Sequence, residues 1–363
     1  MTLSRLDNNS PAISLLIPVY NVERYLGRCM ESALSQSLPN IELICLNDGS
    51  TDRSLDILKE YSSKDPRVKV IDKANSGYGS SMNRGLDEAR GEYVGILESD
   101  DFFEPDALEV LYDAARRFDV DVAKADFYLF WSEPEERNER FGWVDDDAPE
   151  AVNPIEYPEV FFRKPSIWSA IYKKDFLDEN GIRFLETPGA SYQDAGFNFK
   201  VWASAENVAL VNRPVLHYRQ DNESSSVNSP GKVFCVCDEY TEMIRYIYDR
   251  FTGSKKDELL RLLVRMRFDS YMWNYERLSE ELRSLFLPRM KDDFIEENHA
   301  GLYDPSLFDS IKQWRRELVI KHPDLFQLQY SSTGSKGKLS TALRYCRAGG
   351  IRYMKKAFEL SRH

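Results

Sequence analysis

Ile13-Ser14-Leu15-Leu16-Ile17-Pro18-Val19 is an apolar run of strand length, and the polar pair Tyr20-Asn21 follows it directly. Behind it, Val22, Tyr25, Leu26, Cys29, Met30, Ala33 and Leu34 recur at the spacing of one helix face. The same alternation continues. Residues 41–46 are mostly apolar, and Asp48-Gly49-Ser50-Thr51-Asp52 breaks the run and offers a cap for a helix carrying Leu55, Leu58 and Tyr61. Residues 68–71 predict a short strand, 77–89 a loop then a helix, and 93–97 a fourth strand. Pro105 stands at a favoured first helical position ahead of Leu108, Leu111, Tyr112 and Ala115, and 120–125 predict a fifth strand. Strands alternating with helices imply an α/β fold with right-handed crossovers and a mostly parallel sheet covered on both faces. Ligands in such sheets bind at the carboxyl ends of the strands. Three polar clusters, Tyr20-Asn21, 47–52 and 98–101, follow strands directly and are expected to share one crevice.

The chain has 363 residues, with 48 basic against 60 acidic side chains and a net charge of -12. That balance argues against a protein that coats nucleic acid over its whole surface, so no nucleic-acid partner is expected. Five cysteines, an odd number with Cys45 inside an apolar run, argue against a disulfide framework. Cys235-Val236-Cys237 lacks the two-residue spacer of common zinc sites. The first eleven residues are polar, and no stretch approaches the roughly 20 apolar residues that span a bilayer. The expected location is cytoplasmic.

Beyond residue 126 the pattern changes. Residues 131–154 are acidic and carry Trp131, Phe141 and Trp143, which reads as a loop or an insertion. Residues 165–214 return to mixed structure, and 232–308 read as helices, for example through Leu259, Leu260, Leu263, Met266 and Tyr271. The expected divisions are 1–225, a helical region 226–333, and a tail 334–363. In that tail Lys336, Lys338, Arg344, Arg347, Arg352, Lys355, Lys356 and Arg362 face a single acid, Glu359, and alternate with Tyr345, Ile351, Tyr353 and Phe358. A basic amphipathic segment of this kind suits an anionic membrane surface, peripheral on the inner face of the plasma membrane. Its other reading is a helix packed on the domain or a contact between copies in a homo-oligomer.

Glu98-Ser99-Asp100-Asp101 places three carboxylates at the end of a buried strand, which is costly unless a cation neutralises them. A hard divalent ion suits these oxygens, and a solvated loop is the alternative. Asp48 to Asp52 reads as a turn, or as a carboxylate that accepts hydrogen bonds from a ribose or base. Asp194 reads as a general base or as the cap of a helix starting near Ala195. His217 reads as a structural group or a ligand, and Arg219 as a partner for phosphate or for a surface acid. Gly77-Tyr78-Gly79 and Gly334-Ser335-Lys336-Gly337-Lys338 both fail as phosphate-binding fingerprints.

Taken in order, Ile17-Pro18-Val19-Tyr20-Asn21, Asn47 to Asp52, Asn75-Ser76-Gly77 with Asn83 and Gly85, Ala89-Arg90-Gly91-Glu92-Tyr93 and Glu98 to Asp101 resemble the family-two inverting glycosyltransferases of GT-A fold. The resemblance covers roughly residues 12–225. It implies a nucleotide-sugar-binding catalytic domain that moves a sugar from a uridine-linked donor to a glycan or lipid-linked acceptor in surface polysaccharide synthesis, with Mn²⁺ or Mg²⁺. On the same basis Pro18, Tyr20 and Glu23 would line the base pocket, Asp48 would hold the uracil, and Lys73, Asn75 and Gly77 would lie near ribose and base. Glu98 and Ser99 would meet the donor, Asp100 the metal, His217 would complete the metal shell, and Arg219 would lie near the diphosphate. Asp194 would be the general base. Trp143 and Trp168 are candidates for stacking on acceptor sugar rings, against core packing. Glu98 and Gln193 depart from the family's usual Asp and Glu. A sugar-nucleotide-binding protein with a decayed site is one alternative; a nucleotidyltransferase is another, disfavoured because no glycine follows Tyr20 until Gly27.

Overall fold

In a computed structural model, the structure describes residues 10–187, 189, 191–222, 232–330, 345–347, 349–351 and 353–356. The chain divides into two compact units, Met1–Ser226 and Val227–His363.

The first unit runs β1 (Ile13–Val19), α1 (Glu23–Leu34), β2 (Ile41–Asp48), α2 (Ser54–Lys64), β3 (Val68–Lys73), α3 (Tyr78–Glu88), β4 (Tyr93–Ile96), β5 (Phe102–Phe103), α4 (Ala107–Phe118) and β6 (Val122–Trp131). Then come β7 (Arg137–Phe141), β8 (Ala151–Val152), β9 (Ala170–Lys173), α5 (Lys174–Glu179), α6 (Gln193–Ser204) and β10 (Val208–Arg219). The sheet order is β3-β2-β1-β4-β9-β6-β10-β5, with β7 beside β6 and β8 beside β10. β1, β2, β3 and β4 are parallel, as are β6 and β10.

Every residue of β1 and β2 is buried, which is why these strands read as continuous apolar runs. The polar exceptions within the strands are paired: Ser14 Oγ donates to Glu42 Oε1 at 2.6 Å, Arg90 Nη2 donates to Glu42 Oε2 at 2.7 Å, and Asn47 Nδ2 donates to Asp72 Oδ1 at 2.7 Å. The sheet departs from the expected pattern at β9, which lies antiparallel between β4 and β6. The stretch expected as loop or insertion holds a strand: β7 forms an antiparallel hairpin with β6. Its sequence, Arg-Asn-Glu-Arg-Phe, is mostly exposed, so no apolar alternation marks it. β10 shifts register on either side of Pro214, a residue with no N–H to give the ladder.

The second unit is helical: α7 (Cys235–Arg250), α8 (Gly253–Arg277), α9 (Glu280–His299), α10 (Ser310–Lys321) and α11 (Pro323–Leu328). Tyr240, Tyr271, Phe286, Phe294 and Trp314 are buried in it. The described tail residues pack on this unit. Tyr345 and Tyr353 are buried, their rings 5.9 and 6.1 Å from that of Trp314, and Tyr345 Oη donates to Leu325 O at 3.0 Å. Lys336, Lys338, Arg344, Arg352, Arg362, Phe358 and Glu359 lie outside the described residues.

Candidate active site

The polar clusters meet at the carboxyl ends of β1, β2, β3 and β4. Asn21 adopts a left-handed conformation (φ +52°), which Asn tolerates, and its Oδ1 accepts from Thr51 N at 2.8 Å. Asn21 N donates to Ser50 Oγ at 3.1 Å, Glu23 N to Asp52 Oδ2 at 2.9 Å, and Arg53 N to Glu23 Oε2 at 2.8 Å. The loops after β1 and β2 are therefore tied to each other by reciprocal side-chain bonds. Pro18 is buried in β1, and Tyr20 is 51% exposed beyond its end.

Asp48 is buried and engaged. Its Oδ1 accepts from Ser76 N at 2.9 Å, its Oδ2 from Gly77 N at 3.0 Å, and Lys73 is its ion-pair partner. Lys73 Nζ also donates to Ser81 Oγ at 3.1 Å. The carboxylate expected to hold a uracil thus folds the 73–77 loop, leaving Asn75 exposed on it. Gly77 has φ +90°, and a Cβ there would meet Thr187 O at 2.9 Å. Only glycine suits that position.

The carboxylate cluster lies next to it. Tyr78 Oη donates to Glu98 Oε1 at 2.6 Å. Burial pushes the Glu98 carboxyl up to about 8, against the Tyr78 hydrogen bond and reinforced by the charges of Asp100 and Asp194. Ser99 is buried. Asp100 Oδ2 accepts from Asn222 Nδ2 at 2.8 Å. Asp101 Oδ1 accepts from Arg219 N at 2.8 Å, while its Oδ2 is buried with no hydrogen-bond partner among the described residues.

Asp194 lies in the first turn of α6, whose cap position is Tyr192, so the expected capping role does not fall to Asp194. Its Oδ1 accepts from Ala195 N at 2.8 Å, and a helix N-terminus favours a negative charge. Burial raises its pKa; the Ala195 N–H and the Lys164 ammonium oppose that rise. Gln193 staples the preceding loop through Nε2, which donates to Thr187 Oγ1 at 2.8 Å and Gly189 O at 3.1 Å. A glutamate could not make these two donations.

Four expected roles change. Both His217 nitrogens are occupied, Nδ1 by Asn138 Oδ1 at 2.7 Å and Nε2 by Glu104 Oε1 at 2.8 Å, and its ring stacks on Phe102 at 4.2 Å. It does not join Asp100 in a metal shell. Arg219 is held inside: Nε donates to Asp100 O at 3.0 Å, Nη1 to Ser132 Oγ at 3.0 Å and to Asp221 Oδ1 at 3.2 Å, with Tyr25 below the guanidinium at 4.5 Å. It braces the Asp100-Asp101 turn in place of a diphosphate. Trp143 is 1% exposed, its Nε1 donating to Lys164 O at 2.8 Å. Trp168 is 6% exposed and stacks on Tyr218 at 4.7 Å. Neither offers a free face to a sugar.

Sequence reading does not single out Tyr78, Lys164, Tyr218 or Asn222. Tyr78 sits beside a recognised turn; the other three carry no local signal, because contacts distant in the chain bring them to the carboxylates.

Among the described residues, no three His, Cys, Asp or Glu side chains converge on one point. Mg²⁺ commonly takes one or two carboxylates and completes its shell with water and substrate phosphates. Asp100 and the unpartnered Asp101 Oδ2 fit that arrangement.

Residues 14–180 match the family described as Glycosyl transferase family 2. This stretch of the first unit is similar to the glycosyltransferase family 2 domain. The glycosyltransferase GlyA of Streptococcus pneumoniae is 34% identical over 215 residues, 57% of this chain and 30% of that protein. Chondroitin synthase of Escherichia coli is 46% identical over 107 residues, 30% of this chain and 16% of that one. The chain thus spans less than a third of either relative. In structure, S. aureus TarS 1–349 in complex with UDP-GlcNAc superposes with a TM-score of 0.65 at 21% identity, covering 96% of this chain and 91% of that one, a likeness of fold. The family 2 match ends before Asp194, so the carboxylate at the start of α6 rests on the geometry above.

Proposed function

We propose that this chain is a metal-dependent inverting glycosyltransferase that uses a UDP-sugar donor and a hydroxyl acceptor on a glycan or lipid-linked glycan. The observation behind it is the carboxylate turn of Glu98, Asp100 and Asp101 at the carboxyl end of β4 in a parallel sheet, beside a loop folded by Asp48, together with Asp194 in the first turn of α6. Inverting transfer is a single in-line displacement that needs one base for the acceptor proton and no covalent nucleophile. Asp194 is a lone carboxylate at a helix N-terminus and takes that proton as the acceptor oxygen attacks the anomeric carbon. Asp100 and Asp101 would hold the ion, which supplies charge stabilisation for the departing diphosphate. Tyr20 and the 73–77 loop flank the donor's base and ribose, and Asn222 and Arg219 fix the carboxylate turn. The two departures from the family pattern each have a local job, Glu98 as acceptor for Tyr78 and Gln193 as the loop staple.

The test is nucleoside diphosphate release from a panel of UDP-sugars, UDP-GlcNAc among them, with Mn²⁺, Mg²⁺ or chelator. Asp194→Asn is expected to lower turnover by about 10²–10⁴ while donor binding persists. Unchanged turnover would remove Asp194 as the base; binding without any wild-type turnover would point to a decayed site.

No helix among the described residues is long and apolar enough to cross a membrane. The tail's exposed basic residues, Lys355 among them, support a peripheral contact with anionic lipid, with Tyr345 and Tyr353 turned into the protein instead of the bilayer. Lys355→Glu is expected to weaken sedimentation with anionic vesicles severalfold, since each basic residue near such a surface contributes about 1 kcal/mol. Equal sedimentation would remove the lipid contact.

A further inference from the structure

Asp194 follows a strained turn, and the side chain of its neighbour spans that turn. Tyr192, the cap of α6, has φ +57°, a left-handed conformation that a bulky residue seldom adopts and that its surroundings must hold. Gln193 does the holding. It is 2% exposed, and its two amide ends face opposite kinds of group. Oε1 accepts from Ser191 N, while Nε2 donates to Gly189 O at 3.1 Å and to Thr187 Oγ1 at 2.8 Å. A backbone N–H at one end and a backbone carbonyl at the other fix which end is nitrogen. Gly189 O is shared: it also accepts from Tyr78 N at 3.2 Å, at the start of α3. The residue before it, Gly77, is held through its N by Asp48, and a Cβ on Gly77 would meet Thr187 O at 2.9 Å and Gly189 N at 3.0 Å. One carbonyl thus joins the loop folded by Asp48 to the turn ahead of Asp194, and the Tyr78 hydroxyl carries the contact on to Glu98 at 2.6 Å.

We propose that Gln193 is a positioning residue that fixes Asp194 against the donor-side loop through the shared carbonyl of Gly189. This rests on the transferase reading above, in which Asp194 takes the acceptor proton and the donor's base and ribose lie on the 73–77 side. Gln193 and Asp194 are consecutive in the first turn of α6, so what sets the backbone of one sets the other. A base must stand within hydrogen-bond reach of the acceptor oxygen while the donor is held for in-line attack. The staple makes those two placements one. An amide suits it and a carboxylate does not. An ionised glutamate at this position would set a second oxygen against Gly189 O with no proton between them, whereas a protonated one could still donate there.

The experiment compares wild type, Gln193→Leu and Gln193→Glu in slow hydrolysis of the UDP-sugar that wild type turns over fastest. Water stands in for the acceptor hydroxyl, and UDP is the binding probe. Gln193→Leu is expected to lower kcat by about 10–10²-fold, the scale of a misplacement of about 1 Å, with the Kd of UDP within about twofold of wild type. Gln193→Glu is expected to keep its activity at the acid end and lose it as pH rises. Burial beside a carbonyl raises the new carboxyl's pKa, and only its protonated form bridges to Gly189. That descending limb, absent from wild type and Gln193→Leu, is a signature that general loosening of the fold would not produce. An unchanged kcat in both variants overturns the proposal, and so does a Gln193→Glu profile parallel to that of wild type. Weaker UDP binding with kcat intact also overturns it, since Gln193 would then support the donor loop alone. If wild type turns over no donor, the transferase reading fails. Amide exchange then decides the linkage by itself: in Gln193→Leu, peptides spanning 76–82 and 191–196 both exchange faster than in wild type. Faster exchange in only one of them, or in neither, would show that the shared carbonyl does not couple the two segments.

Discussion

Glu98 shows how one residue's burial becomes a measurable pH dependence. Its carboxyl is pushed up to about 8 by burial, with Tyr78 opposing and Asp100 and Asp194 adding to the rise. A raised carboxylate pKa means that the folded state binds more protons than the unfolded state between about pH 4.3 and pH 8. Stability contributed by this site is therefore lost as pH rises through that window. Glu98→Gln keeps an acceptor for Tyr78 and removes the charge, so in metal-free, donor-free protein it should raise Tm at pH 8 by several degrees and change it little at pH 5. Thermal unfolding at the two pH values checks this. A Tm at pH 8 that is unchanged or lowered would show that Glu98 is ionised without penalty. Asp221 runs the other way. Burial would raise it, but hydrogen bonds from Ser132 Oγ and N and the Arg219 guanidinium bring it down to about 2. Its contribution is present above its unfolded value of about 3.9 and is lost as pH falls towards 2. Asp221→Asn should lower stability at pH 7 and flatten the acid end of the stability curve. An acid slope equal to that of wild type would count against this account.

Elements meet closely where α3 passes the 182–187 segment. A Cβ on Gly79 would stand 2.2 Å from Leu185 O, so the helix can approach that backbone only with glycine there. Asn83 completes the contact by pairing both ways with Phe184, accepting from its N at 2.9 Å and donating to its O at 3.0 Å. Gly79→Ala is expected to destabilise the unit by about 1–3 kcal/mol, the usual cost of overpacking, read as a lower urea midpoint at unchanged slope. Because α3 begins at Tyr78, the same change should displace the hydroxyl from Glu98 and lower donor turnover. Stability lost without any effect on turnover would show that the two ends of this contact are independent.

At the scale of the whole molecule, the described tail residues are part of a folded unit. Truncation before residue 334 removes the Tyr345 and Tyr353 rings from Trp314, and burying a large aromatic side chain is worth about 3–5 kcal/mol when it is replaced by Ala. The truncated chain should therefore melt earlier, and any loss of vesicle binding in it would mix two effects. Lys355→Glu separates them, since it is exposed and should leave Tm unchanged.

Periodicity alone makes the alternating strands and helices of the first 126 residues legible, apart from the two-residue β5, because strands buried on both faces must be apolar along their whole length and their helices must carry one apolar stripe. It also determined that Asp48, Asp100 and their neighbours would stand at strand ends, since a loop after a parallel strand opens at one edge of the sheet. The remaining features depend on contacts between distant segments. β9 reads like any short strand, and its place between β4 and β6 depends on pairing across some eighty residues. His217, Arg219, Trp143 and Trp168 carry side chains suited to ligands, yet each is taken by a partner far away in the chain. Lys164 has no local mark at all: its turn is held by buried Lys124 and Trp143, and its ammonium lies over the Tyr218 ring. Periodicity reports what a residue's own segment needs, whereas charge and hydrogen-bond partnership are set by what folding brings alongside.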